Sequence, residues 1–336
     1  MQKRPKMPYD VITIGSATVD VFVKTSGDDL IDIKTKRSEE IFTCYPLGSK
    51  ILIKDLQFMT GGGGTNTAVS FARLGLKTAY LGNIGDDANG KRIIGELKKE
   101  KADFIGTIGR EKTNYSVVLD SIGHDRTILV YRDASENLDF KRLNKAKLRA
   151  KWYYFSSMTG KSFDAAVRLM DFAQKNGIKV AFNPSTYQVK DGKAKLKPLL
   201  DRVDLLVFNR EEAAILLGKS GAERIDKLME GVRQLGPKIV VITDGPKGAY
   251  CSDGIDLYTI LPRKVKVVET TGAGDAFASS FVAGLAKGYD LGFAMELGLT
   301  NAESVIQHYG AKNILLRWNE AMREMKKCPK AKKTKL

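Results

Sequence analysis

Short apolar runs alternate with segments of helical periodicity along most of the 336 residues. That pattern predicts a largely parallel sheet covered by helices. VITIGSATVDVFV (11–23) reads as a buried strand running into an alternating one. TNTAVSFARLG (65–75) reads as a helix stopped by Gly75, LKTAYLGNIG (76–85) as the next strand, and DANGKRIIGELKKE (87–100) as a helix. WYYFSSM (152–158) and IKVAFNP (178–184) predict strands bracketing the helix SFDAAVRLMDFAQKNG, which ends on Gly177. DLLVFN (204–209), KIVVITDG (238–245) and GAYCSDG (248–254) continue the sheet. Two helices, 274–288 and 291–310, close the body.

Two stretches break this rhythm. Residues 24–60 and 112–133 carry alternating β-type runs (IFTCY, SKILIKDL, YSVVLD, RTILVYR) with no helical pattern between them. They predict a small β-subdomain inserted from about 20–60 and 112–133 into one domain spanning 1–336, a flap that excludes water from a cleft. The alternative is two ordinary edge hairpins.

Composition narrows the class. With 43% hydrophobic and 28% charged residues the chain is not globally disordered. No apolar run approaches the roughly 18 residues of a spanning helix, and Asp10, Thr13 and Asp20 interrupt the first apolar stretch as no secretory segment would allow. Cys44, Cys251 and Cys328 stand far apart, the pattern of reduced thiols. A soluble cytoplasmic protein is expected. His124 and His308 are the only histidines, so a His-rich zinc site is excluded and any general base is expected to be a carboxylate.

The formal charge of +16 is partly local. One cluster lies in the tail 323–336, another in KRLNKAKLRAK (141–151). A nucleic-acid contact is one reading. The ordinary reading, favoured because no nucleic-acid module accompanies the charge, is a disordered basic tail and a solvated helix face.

Candidate chemistry sits in glycine-rich turns, since backbone N–H groups at a helix start bind anions. GDDANGKR (85–92) nearly matches a phosphate loop but has Arg92 where Mg2+ needs Ser or Thr. GGGGTNTA (61–68) opens onto a helix, bringing backbone and the Asn66 amide close to a polar ligand, or serving as a hinge. ETTGAGDAF (269–277) comes too late in the chain to be a dinucleotide fingerprint. It reads as an anion hole formed by the N–H groups of Gly272, Ala273 and Gly274, with Asp275 beside it to take a proton from an attacking hydroxyl. A capping role is the alternative for Asp275. TDGPKGAY (243–250) alone is a turn between strands.

Together, G-G-G-G-T-N-T-A (61–68) and T-T-G-A-G-D (270–275) resemble the two signatures of the ribokinase-like, or PfkB, carbohydrate kinase family. The resemblance covers roughly residues 9–312, with Asp20, N-R-E-E (209–212) and T-D-G-P-K-G (243–248) as lesser matches in the expected order. It implies a three-layer α/β/α body with a mostly parallel sheet, a small β-sheet lid, and a homodimer paired through that lid. It implies ATP and Mg2+ as cofactors, Asp275 as the base, and the 272–274 backbone on the transferring phosphoryl group. Asn209 and Glu212 would organise Mg2+ through water. Thr243, Gly245, Gly248 and Asn301 would line the nucleotide pocket. Asp20, Gly61, Gly62 and Asn66 would hold the acceptor.

Two positions depart from the family pattern. Glu269 replaces the Asp commonly tied to a monovalent-cation site, leaving K+ open. Gly63 stands where ribokinases proper often carry Lys. The expected activity is phosphorylation of a primary hydroxyl of a sugar. A nucleoside is the neighbouring alternative, and a phosphosugar held by Arg126 and Arg132 a further one. A non-catalytic nucleic-acid-binding or regulatory protein is the distant alternative.

Overall fold

The computed structural model describes residues 7–25, 29–34, 39–120 and 126–335. His124 and the side chain of Arg126 lie outside the described residues, as do parts of both predicted insertions.

The chain opens with β1 (Tyr9–Ile14), β2 (Thr18–Thr25), the hairpin β3 (Asp29–Lys34)–β4 (Glu39–Cys44), and β5 (Ile53–Gly61). Next come α1 (Gly63–Arg73), β6 (Thr78–Leu81), β7 (Asn83–Gly85), α2 (Ala88–Lys99), β8 (Ala102–Phe104) and β9 (Thr107–Gly109). β10 (Asn114–Asp120) and β11 (Arg126–Tyr131) precede β12 (Ala150–Phe155), α3 (Lys161–Lys175), β13 (Lys179–Phe182), α4 (Thr186–Lys190) and α5 (Gly192–Leu200). β14 (Leu205–Asn209), α6 (Arg210–Leu217), α7 (Ile225–Arg233), β15 (Ile239–Thr243), β16 (Ala249–Ser252) and β17 (Asp256–Ile260) follow. α8 (Ala273–Ala286), α9 (Leu291–Val305), α10 (Trp318–Glu324) and β18 (Lys332–Lys335) complete the series.

Ten strands form one sheet in the order β18-β17-β16-β15-β14-β13-β12-β1-β6-β8. From β15 to β8 every pairing is parallel, and the three strands beyond β15 are antiparallel. Parallel strands buried on both faces need apolar residues throughout, and β1 shows the consequence. Ile12 and Ile14 enter the core shared with α3, α5, α6 and α7, while Val11 enters the core shared with α1, α8 and α9. Three layers result. From β1 the order runs outward through β6 to β8 on one side and from β12 to β15 on the other, so it reverses between β1 and β12. In open α/β sheets a ligand crevice forms at that reversal, beyond the carboxyl ends of the strands.

A second sheet, β11-β10-β2-β5, grows from the same edge because β2 continues β1 past Gly15–Ala17. Register places Val130, Ser116, Asp20 and Met59 in one cross-strand row. Strands from both interrupted stretches thus share one sheet, while β3 and β4 pair as a separate two-stranded sheet.

Two expectations need correction. The basic tail 323–336, expected to be disordered, holds the last residues of α10 and then β18, paired antiparallel with β17. The physical reason is charge pairing at the sheet edge. Lys333 meets Asp256 at 2.7 Å, and Glu296 accepts from Lys330 Nζ at 2.7 Å and from the Ala331 N–H at 3.1 Å. The cluster 141–151 is not a helix face but two single 3-10 turns, Phe140–Arg142 and Lys145–Lys147, followed by β12. Asp139 and Asn144 cap those turns and divert the backbone. The near-match to a phosphate loop is a helix cap: Asp87 accepts from the N–H of Gly90 at 2.7 Å and of Thr113 at 2.8 Å.

Truncation after Cys328 would strip the partners from two buried carboxylates, Glu296 and Asp256. We predict a lower urea midpoint, equivalent to a loss of about 1–3 kcal/mol, measured by equilibrium unfolding of the full-length and truncated chains.

Candidate active site

A cavity of about 460 Å³ opens at the reversal point. Polar residues just beyond the strand ends line it: Ser16 after β1, Ser156 and Ser157 after β12, Asn183 after β13, Asn209 closing β14 and Thr243 closing β15. Asn114, Ser116 and Arg132 face it from the small sheet and its exit.

The glycine run folds as the packed entry to α1 and not as a hinge. Gly64 N–H donates to the Ser16 carbonyl at 3.0 Å, and its own carbonyl accepts from the Thr13 hydroxyl at 2.9 Å. A Cβ on Gly63 would lie 2.8 Å from Ser156 Cβ. A Cβ on Gly61 would lie 2.0 Å from an Asp20 oxygen, so only glycine fits beside that carboxylate. Gly62 has a φ of 94°.

α8 brings the second signature to the same place. Gly272 is its N-cap with a φ of 82°, and a Cβ there would meet Ala311 at 2.5 Å. The Ala273 N–H donates to the Thr270 carbonyl at 3.2 Å. This corrects the expected donor set: the N–H groups of Gly272, Gly274 and Asp275 are the ones that meet no acceptor among the described residues. Gly274 borders open space, where a Cβ would find no atom within 4 Å.

Asp275, in the first turn, takes a 2.9 Å hydrogen bond from Asn66 Nδ2. Burial pushes its carboxyl above the ordinary carboxylate range, while the Asn66 hydrogen bond and the Lys312 charge oppose that shift. Burial likewise raises Asp20, against a hydrogen bond from Ser116 and the Lys312 charge. Glu212 is raised by burial and by the nearby charges of Glu211 and Asp275, against its hydrogen bonds. It closes a capping box with Asn209: Asn209 Oδ1 accepts from the Glu212 N–H at 2.8 Å, and Glu212 Oε2 accepts from the Asn209 N–H at 3.0 Å. Asn66 Oδ1 is buried with no hydrogen-bond partner among the described residues.

A family model described as pfkB family carbohydrate kinase matches residues 25–318. The chain belongs to the PfkB family of carbohydrate kinases. A 5-dehydro-2-deoxygluconokinase of Clostridium perfringens is 30% identical over 319 residues, covering 90% of this chain and 88% of the relative. An ATP-dependent 6-phosphofructokinase of Thermoanaerobacterium thermosaccharolyticum is 27% identical over 313 residues, covering 90% and 89%. In fold, the chain matches Arabidopsis thaliana ribokinase complexed with ribose and ATP at a TM-score of 0.76, with 22% identity and 95% and 99% of the two chains covered. Adenosine kinase from Sinorhizobium meliloti gives 0.78, with 23% identity and 94% and 99% covered. The fold is ribokinase-like, and the family supports a phosphotransferase acting on a sugar hydroxyl.

Among the sequence candidates, Gly272, Gly274, Asp275, Asn209, Glu212 and Thr243 line the cavity. Asp20, Gly61, Gly62 and Asn66 adjoin it through the contacts above. Gly245 and Gly248 shape the β15–β16 turn away from the lining, with Gly248 packed on the Ile260 carbonyl. Asn301 is a correction to the PfkB expectation. Its side chain is fully buried, donating to Ser280 at 2.7 Å and accepting from the Leu316 N–H at 2.9 Å, so it braces α9 and cannot face a nucleotide. Glu269 is buried and accepts from the Gly310 N–H at 2.9 Å. Sequence reading missed Ser156, Ser157, Asn183 and Glu136 as lining residues. The signal was present for three of them: polar residues directly follow the apolar runs WYYF and VAF. It also missed Lys312, which no motif marks.

The raised Asp275 carboxyl carries a stability consequence. Held ionised near neutrality it opposes folding, and this cost vanishes as pH falls below the ordinary carboxylate range. We predict that Asp275→Asn raises the thermal midpoint near neutral pH, with a gain that shrinks on acidification. Paired melting curves across pH check it.

Proposed function

We propose that the protein transfers the γ-phosphoryl group of ATP to a primary hydroxyl of a sugar. One observation carries the reading: Asp275 lies in the cavity, beside unpaired backbone donors at the start of α8 and held by Asn66. In the transfer the acceptor hydroxyl gives its proton to Asp275, the new O–P bond forms, and the bond to the departing ADP breaks. A carboxylate raised toward neutrality is a better matched base than an ordinary one. The N–H groups of Gly272, Gly274 and Asp275 provide fixed donors for the phosphoryl oxygens.

Among the described residues, no three His, Cys, Asp or Glu side chains converge as a metal site. The paired Asn209 and Glu212 instead fit Mg2+ held through water, consistent with the waters that ion retains. When bound, Mg2+ would neutralise phosphate charge. Thr243 fits the nucleotide side. Asp20, with its Gly61 neighbour, and Asn66 Oδ1 fit the acceptor hydroxyls. The small sheet fits a lid. Its exposed Phe58 and Leu129 favour pairing of two copies there. In the cytoplasm ATP would supply the donor, while the Glu269–Gly310 bond leaves K+ dependence to measurement.

Arg132 favours an acceptor carrying an acid or phosphate over a nucleoside. It lines the cavity, its guanidinium stands 4.5 Å from the Tyr187 ring centroid, and no carboxylate among the described residues pairs with it. Both relatives' names point to sugars with an anionic group.

An ATP-consumption screen with Mg2+, with and without K+, across sugars, sugar acids, sugar phosphates and nucleosides tests the reading. One acceptor should be turned over, and Asp275→Asn should lose at least about 10²-fold in kcat. Near-normal turnover by folded Asp275→Asn would overturn the assignment. Arg132→Ala should raise KM for an anionic acceptor roughly tenfold or more and leave KM for ATP unchanged. Equal loss on neutral and anionic sugars would remove the anionic preference.

A further inference from the structure

Lys312 is a buried ammonium between the two signatures, at 6% exposure. Its Nζ meets Glu96 Oε2 of α2 at 2.7 Å, Thr60 Oγ1 of β5 at 2.8 Å and Thr65 Oγ1 of α1 at 3.4 Å. Thr60 also donates to Glu96, and Thr65 to the Gly61 carbonyl at 2.6 Å. The ammonium therefore grips both ends of the glycine run. The residue before it, Ala311, abuts Gly272, and Gly310 is tied to Glu269. A single short loop thus touches the acceptor side through Lys312 and the anion-binding turn through Ala311. Arg73 fixes that loop by donating to the carbonyls of Lys312 at 2.8 Å and Leu315 at 3.1 Å, while Glu100 holds Arg73 through two hydrogen bonds.

We propose that Lys312 is a positioning residue for phosphoryl transfer, holding the acceptor loop at 60–66 in register with the turn at 270–275. The proposal rests on the kinase reading. Burying an ammonium carries a desolvation penalty that an apolar side chain of similar length would not, so packing alone gives no reason for it. Its charge opposes the effect of burial on both carboxyls. The other groups facing Asp275 are Asn66 from α1, Tyr154 from β12 and Glu212 from α6. Those facing Asp20 are Thr18, Ser116 and Glu269, and none of these supplies a cation. Glu96, Asp20 and Arg73 are the charges around Lys312 itself.

The test is a 13C-carboxyl NMR titration of the full chain, with the Asp275 signal assigned by its loss in Asp275→Asn. Lys312→Met should move the Asp275 midpoint to higher pH, because burial is then less opposed, and Lys312→Arg should restore it. With the acceptor found by the screen, Lys312→Met should lose roughly 10²-fold in kcat/KM, with the acid limb of the pH profile moved the same way. If Lys312→Met does not fold, the paired Lys312→Met, Glu96→Gln variant removes both charges and is expected to show the same displacement. A folded variant with an unmoved titration and kcat/KM within twofold of the parent overturns the proposal. The titration needs no turnover. A displaced midpoint in a chain that phosphorylates no acceptor would therefore reject the kinase reading while leaving the charge coupling standing.

Discussion

Everything in the site depends on how closely the backbone of α1's first turn can approach the ends of β1 and β12. Side chains at 63 and 64 would hold that helix away: a Cβ on Gly64 would lie 2.6 Å from the Tyr80 ring, and one on Gly63 would press into Ser156. With hydrogen atoms there instead, α1 settles directly over the strand ends and runs beside α8. Two polar contacts, each spanning 209 positions of sequence, record the result: Asn66 with Asp275, and Ser70 with Ser279 at 2.7 Å. Two helix starts from opposite ends of the chain come to share one crevice. Crowding the first would misplace Asp275 on the second.

The electrostatics follow from that closeness. Helix starts carry unpaired N–H groups and attract negative charge, yet the same crowding removes the carboxylates from water. Asp20, Glu212 and Asp275 all rise in consequence. Elsewhere, most carboxylates with resolved shifts are held low by cations or N–H groups, as Glu100 is by Arg73 and Asp87 by the caps it makes. Carboxyls displaced upward gather where the cavity is.

Much of the architecture was legible because parallel strands and their covering helices announce themselves by period. WYYF, VAF and VVIT could hardly be anything but buried strands, and the two glycine-rich signatures marked the two helix starts that matter. What escaped was set by partners distant in sequence. A run such as KAKKTK looks like a frayed end until Asp256 and Glu296 are known to wait at the sheet edge. Asn301 looks like a ligand-facing amide until its neighbours Ser280 and Leu316 are seen. Lys312 was invisible for the same reason, since its meaning lies in β5, α1 and α2 and none of it in the residues beside it.

The continuity of β2 with β1 has a mechanical consequence. The small sheet is cantilevered from the body on a strand instead of hanging from a linker. Its roots lie at Ser16–Ala17, at Gly61–Gly62, at the Thr113–Asn114 entry to β10 and at the 132–134 exit from β11. Each root borders the cavity, and the Ala17 N–H is pinned to the Ser135 hydroxyl at 3.3 Å. A molecule seated in the cavity therefore sits at the fulcrum of the small sheet, where a small displacement of the roots is magnified at the far ends of its strands.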